Sequence, residues 1–224
     1  MTETMTMGAA SATHRGNALT DALRMFSVVR NGTIRMVAGL TEEQAGFRPA
    51  RDAWSVAQIV DHLLLTESLY RTQMNRMLEL AREGKRSNID VSLREVDLSI
   101  PFIPRALMPM MAMPLTVMNL FVPQAIRETI LRFPIMKAKN PKVSEPAQHR
   151  PIDALRVQLA ESLTETGALF AGTLPANAAR VTVSHPVFGR NTIPNIFGLM
   201  AAHEERHGLQ IGGVVRQLPP EVAL

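Results

Sequence analysis

From Asn17 onward the apolar residues Leu19, Leu23, Phe26, Val29, Ile34, Val37 and Leu40 recur at spacings of three to five. That recurrence is one face of a long helix, which the pattern ends near Gly39. The stretch TEEQAGFRPARDAW then reads as a connector by its Gly and Pro. Ser55 followed by Gln58 has the spacing of a capping box, so a second helix is expected from about Ser55 to about Arg82. A third opens at Pro151 and Asp153, runs through Leu155, Leu159, Leu163 and Leu169, and closes near Gly172. After a connector through SHPVFGRN, a fourth should begin near Thr192 with Pro194 in its first turn. It continues through Ile196, Leu199, Met200, His203, His207, Ile211 and Val214 and stops before Pro219. No strand-like alternation of comparable strength appears, and no internal repeat. The expected class is all-α: an antiparallel four-helix bundle with a long Met/Pro-rich insertion between the second and third helices.

Between residues 84 and 150 the pattern changes. Prolines at 101, 104, 109, 114, 123, 134, 141 and 146 forbid a long uninterrupted helix, yet Met108, Met110, Met111, Met113, Leu115, Val117 and Met118 are strongly apolar. Residues 98–137 are therefore read as an insertion of short helical pieces. The uncharged run from Ala106 to Pro123 reaches the lower length limit of a membrane span, but Pro109, Pro114 and Asn119 interrupt it. A Met-rich wall that covers a cleft or packs on the bundle is preferred to a membrane role. The domain is placed at 17–217, between a disordered tail at 1–16 and a C-terminal tail at 218–224.

Composition narrows the chemistry. The formal charge is only +4, from 24 Lys and Arg against 20 Asp and Glu, and the chain has one Trp and one Tyr. Scattered basic residues and so few aromatics give neither a phosphate-tracking stripe nor a base-stacking platform, so nucleic acid is not expected as a partner. A small-molecule substrate is expected, and a homodimer is allowed. The absence of Cys removes disulfides, thiolate ligands and a nucleophilic thiol together, which leaves His, Asp and Glu as metal ligands. The N-terminal stretch has no positively charged start and no apolar core, so no secretory signal is read and the cytoplasm is the expected location.

Within the fourth helix, Ile196, Leu199, Met200, His203, His207, Gln210 and Val214 share one stripe, so both imidazoles face the core. An i, i+4 pair sets two ring nitrogens on adjacent turns, a spacing that suits capture of a metal by neutral imidazole. His62 stands on the inward face of the second helix with Ile59, Thr66 and Leu69. Three imidazoles from two helices leave a coordination position for water or substrate, as in catalytic rather than structural sites. Asp61, Glu67, Glu204 and Gln210 could orient the rings. The segment His203-Glu204-Glu205-Arg206-His207 also satisfies H-E-x-x-H, which raises a zinc protease with Glu204 as general base. No further His follows His207, however, and Glu221 is the one carboxylate side chain there. His185 immediately precedes the histidine-bearing helix and could reach the mouth of the site. His14 and His149 read as exposed, Trp54 as a packing staple on Ile59 or the first helix, and Arg206 as a surface residue.

The stretch Trp54-Ser55-Val56-Ala57-Gln58-Ile59-Val60-Asp61-His62-Leu63 resembles the second-helix signature of the DinB-like superfamily. Ala202-His203-Glu204-Glu205-Arg206-His207-Gly208-Leu209-Gln210-Ile211 resembles its last-helix signature. His185-Pro186-Val187-Phe188-Gly189, and Arg132-Phe133 leading into the Pro141-to-Pro151 stretch, are similar to a branch with an HPxFG and HxxRH pattern. The resemblance covers residues 17 to 216 or so. It implies a four-helix bundle that holds one metal through His62, His203 and His207; three imidazoles suit a divalent ion, with Zn, Ni or Fe expected. It also implies a range of chemistries, from thiol-dependent S-transferases and a maleylpyruvate isomerase to metal-dependent hydrolases. The expected function is therefore activation of a low-molecular-weight thiol, as co-substrate, or of water for attack on a small electrophile. The alternative is a non-enzymatic metal-stabilised bundle that meets a protein or membrane surface through its Met-rich face.

Overall fold

The computed structural model describes residues 3–85, 88–90, 144–175, 177–185 and 189–223. In chain order the elements are α1 (Glu3–Val37), α2 (Glu42–Gly46), α3 (Val56–Arg82), β1 (Asn88–Asp90), α4 (Ile152–Ala168), β2 (Thr182–His185), β3 (Gly189–Asn191), α5 (Ile193–Val215) and α6 (Pro220–Ala223). The protein is mostly helical. The region 98–137 read as an insertion lies outside the described residues.

Local chemistry accounts for the helix starts. At α3, Ser55 Oγ accepts from the Gln58 amide at 3.2 Å, while Gln58 Oε1 accepts from the Ser55 amide at 3.1 Å. This reciprocal box satisfies two backbone donors that the first turn leaves unpaired. The same device, Thr41 with Gln44, starts α2 inside the stretch expected to be a connector. Its spacing was legible, but five residues are too few to show a hydrophobic period. The helical backbone of α1 begins at Glu3, upstream of the Asn17 where the apolar stripe starts. At α5, Thr192 takes the extended N-cap conformation without a side-chain cap bond, and Pro194 falls in the first turn.

Two apolar clusters divide the interior. One contains Leu19 and Phe26 of α1, Met74, Met77 and Leu78 of α3, and Ile196, Phe197 and Met200 of α5, with Leu163 of α4 packed against it. The other contains Val37 of α1, Val56, Ile59 and Val60 of α3, Ile152, Leu155 and Leu159 of α4, and Ile211 and Val214 of α5. Between them lies a buried polar belt of Arg30, His62, Glu67, Ser162, Thr166, Glu204 and His207.

The order of these layers along each helix fixes its direction. Helices α1 and α5 pass from the first cluster to the second, whereas α3 and α4 pass from the second to the first. Each long helix packs on two others: α1 on α5 and α4, and α3 on α4 and α5. The neighbours α1–α5 and α3–α4 thus run parallel, and only α3–α5 and α1–α4 run antiparallel. This order is compatible with the expected bundle and its very long connection after the second helix, since parallel α3 and α4 cannot be joined by a short turn.

A three-stranded sheet, absent from the sequence expectation, closes the first cluster. Strands pair in the order β1-β2-β3, with β1 parallel and β3 antiparallel to β2. Val181 and Val183 enter the core there. Strands of three or four residues are too short for alternation to stand out. Gly189 at φ 65 occupies the left-handed region that favours glycine as β3 begins. No helix among the described residues is long and apolar enough to cross a membrane.

Candidate metal centre

Helix α3 delivers His62 and helix α5 delivers His203 and His207 to one point in the polar belt. His203 Nε2 lies 3.3 Å from His62 Nε2 and 3.2 Å from His207 Nε2. One ligand atom from each of the three lies within 4.8 Å of the others. The outward nitrogens are already engaged: His62 Nδ1 lies 2.7 Å from the carbonyl oxygen of Ser144, and His207 Nδ1 lies 2.9 Å from Gln210 Oε1. Both partners are acceptors, so each Nδ1 carries the ring proton and each Nε2 points inward with a lone pair.

This arrangement fits a cation. His203 Nε2 has at most one proton for two neighbouring Nε2 atoms, so at least one close nitrogen pair has no proton directed between its atoms and is repulsive. An ion among the three nitrogens relieves that repulsion. Two imidazoles bound tetrahedrally at ordinary zinc–nitrogen distances stand about 3.3 Å apart, which matches the spacings around His203. The three histidines could therefore hold a divalent metal.

The electrostatics keep the imidazoles neutral. Burial pulls the His62 pKa down, and the Arg206 charge adds to this, while the Ser144 bond and Asp61 oppose it. Burial, then the other two rings and Arg206, hold His203 well below its ordinary value. Burial with His62 and Arg206 brings His207 down to about 3, against the Gln210 bond. Neutral rings are the form a metal needs.

A second set of contacts positions the rings. Asp61, next to His62, accepts from the Ala147 amide at 2.8 Å and from the Arg150 guanidinium at 2.6 Å. It thereby pins the segment whose Ser144 carbonyl orients His62. Trp54 lies 5.0 Å from the His62 ring and stacks on His207 at 6.3 Å, at an interplanar angle of 21°. As its reading as a staple anticipates, Trp54 packs on the apolar cluster that holds Ile59 and Val37 of α1, and it contacts two imidazoles besides. The Ser144 carbonyl was missed because a backbone acceptor far along the chain carries no sequence signal.

Beside the histidines Arg30 is clamped by two carboxylates, with Nη1 2.5 Å from Glu67 and Nε 2.7 Å from Glu204. Glu67 also accepts from Ser162 and, at 2.6 Å, from Thr166. Glu204, expected to orient a ring or act as a protease base, is 1% exposed and spent on Arg30. The H-E-x-x-H reading thus loses its general base. A small cavity reaches from this cluster to His203, and the buried Thr66 Oγ1 on its wall has no hydrogen-bond partner among the described residues.

Of the remaining candidates, Gln210 touches His207 as anticipated, and His149 is exposed. His185 pairs through its backbone with Gly189 in the β2–β3 hairpin, and its side chain lies outside the described set. Arg206, expected at the surface, is half-buried.

No curated protein and no solved structure matches the chain. The family model described as the DinB superfamily matches residues 25–211. That span begins inside α1, ends in α5 and includes all three converging histidines. With its long helices and its histidine site inside one continuous match, the chain belongs to the DinB superfamily.

Proposed function

We propose that this protein is a metal-dependent enzyme that activates a low-molecular-weight thiol or water for attack on a small electrophile. The observation that carries this reading is the convergence of three neutral Nε2 atoms, two of them fixed by acceptors on the opposite ring nitrogen. His62, His203 and His207 would hold one divalent ion, Zn, Ni or Fe. Three protein ligands leave room for an exogenous one, the mark of catalytic sites. When bound, the ion supplies Lewis acidity that lowers the pKa of a coordinated thiol or water.

The chain's own residues do the rest. Ser144 and Gln210 hold the ring protons of His62 and His207 on Nδ1. Trp54 shields two of the rings from solvent. The Arg30–Glu67–Glu204 cluster gives the helices a fixed register around the site. In this reading the four long helices form the family's bundle.

The test is metal analysis of protein purified without a metal-binding tag, followed by thiol-transfer and ester-hydrolysis assays. One equivalent of a divalent ion is expected, lost in the double variant His203→Ala/His207→Ala, together with a metal-dependent activity in one assay. Full metal content in the double variant would overturn the ligand assignment. A loaded protein inert toward every thiol and ester would overturn the enzymatic reading.

A further inference from the structure

Five arginines among the described side chains are buried or half-buried, and four of them have partners. Arg30 is held by Glu67 and Glu204, Arg71 by Glu165, Arg150 by Asp61 and Gln158, and Arg156 by Asp153 and backbone carbonyls. Arg206 is the exception: it has no ion pair and no hydrogen bond among the described residues. A guanidinium carries five donors and cannot shed its proton, so withdrawing it from water unpaired is unfavourable. Exposed arginines elsewhere on the chain meet no such cost.

Its location compounds the cost. Arg206 lies between two of the histidines in sequence, about 60° around α5 from His203. Its charge lies close enough to act on all three rings. A fixed positive charge there also opposes a bound cation. An arginine unpaired, half-buried and adverse to the metal is unfavourable in the free protein on every count. An anion that arrives with the substrate reverses all of these terms at once.

We propose that Arg206 is the anion anchor of this site and takes the carboxylate of a small substrate whose reacting group lies at the three histidines. The assignment rests on the reading of those histidines as the reaction centre and narrows its substrates to carboxylate-bearing small molecules. A carboxylate is favoured over a phosphate because one guanidinium fork pairs both carboxylate oxygens, whereas a phosphate paired in the same way keeps further charged oxygens that call for additional donors. Arg206 is also remote from the α5 N-terminus, whose free amides would add the donors that phosphate sites collect.

The experiment is calorimetric titration of zinc-loaded protein, and of the same protein stripped by chelator, with benzoate, benzamide and inorganic phosphate. Wild type should prefer benzoate to its neutral isostere in both forms. Arg206→Gln should weaken benzoate roughly tenfold or more, the value of a charge-assisted hydrogen bond, and leave benzamide binding and zinc content unchanged. Arg206→Lys, which keeps the charge without the fork, should retain part of the preference. Gln and Lys are good helix formers, and circular dichroism of both variants guards against misfolding. Benzoate affinity in Arg206→Gln equal to wild type overturns the proposal, as does phosphate binding more tightly than benzoate. A protein that retains no zinc but keeps an Arg206-dependent benzoate preference supports the anion site and sinks the metal reading instead.

Discussion

At the scale of single residues, the site depends on groups that fix the rings as much as on the rings themselves. Asp61 touches no imidazole nitrogen, yet it pins Ala147 and Arg150 and with them the carbonyl that orients His62. Asp61→Ala is expected to weaken metal binding about 10–100-fold, the usual effect of losing an outer contact to a ligand. Competition with a chromophoric chelator measures it, and unchanged affinity would show that His62 needs no such support. Tyr70, the one tyrosine of the chain, has its phenol pushed up to about 12 by burial. Phenolate absorbance in the native protein should therefore titrate near 12, against about 10 in denaturant. Because the folded value is the higher, Tyr70 contributes stability that is complete below pH 10. That contribution disappears as pH rises through about 12. A native midpoint near 10 would mean that the ring is solvated. The histidines were legible at this scale because an i, i+4 pair on an apolar stripe is a local pattern. Asp61 could be named as a candidate, but its partner could not.

At the scale of elements, the four long helices meet through a polar belt, and Arg30 of α1 ties α3 to α5 through Glu67 and Glu204. A buried ion network favours one register of the helices over others, since sliding any of them strands a charge. Arg30→Met should cost about 3–5 kcal/mol in urea unfolding, because it leaves two carboxylates without a counter-ion. Adding Glu67→Gln and Glu204→Gln should recover most of that loss. A cost below about 1 kcal/mol for Arg30→Met would show that water or protonation replaces the arginine. Helix positions were readable from periodicity, capping and proline. This cluster was not, since Glu67 and Glu204 lie 37 and 174 residues from Arg30 and each reads in sequence as a neighbour of the histidines rather than as a partner of that arginine.

At the scale of the whole molecule, the histidine site sits between two apolar clusters that each draw on all four long helices. Each cluster can hold its end of the fold without the ion. Chelation should therefore leave helical content unchanged in circular dichroism and lower Tm by an amount that depends on free metal concentration, as expected of a ligand bound only by the native state. Cooperative unfolding on chelation would show instead that the ion is structural. The parallel pairing of α3 with α4 belongs to this scale too. It places the second cluster's Leu155 and Leu159 beside the start of α3 and sets Ser162 and Thr166 against Glu67, which a short antiparallel connection would not do.

By itself the sequence determined where the long helices lie, which face of each is buried and which three histidines look inward. Those properties follow from local spacing and from the backbone chemistry of caps and prolines. Only the tertiary structure decided the direction of each helix, the Ser144 and Asp61 contacts behind His62, the burial of Glu204 against Arg30 and the half-burial of Arg206 without a partner among the described residues. All of these depend on residues brought together from distant parts of the chain. The convergence of His62, His203 and His207 joins the two: periodicity supplied the rings, and packing set their nitrogens 3.2–3.3 Å apart around His203.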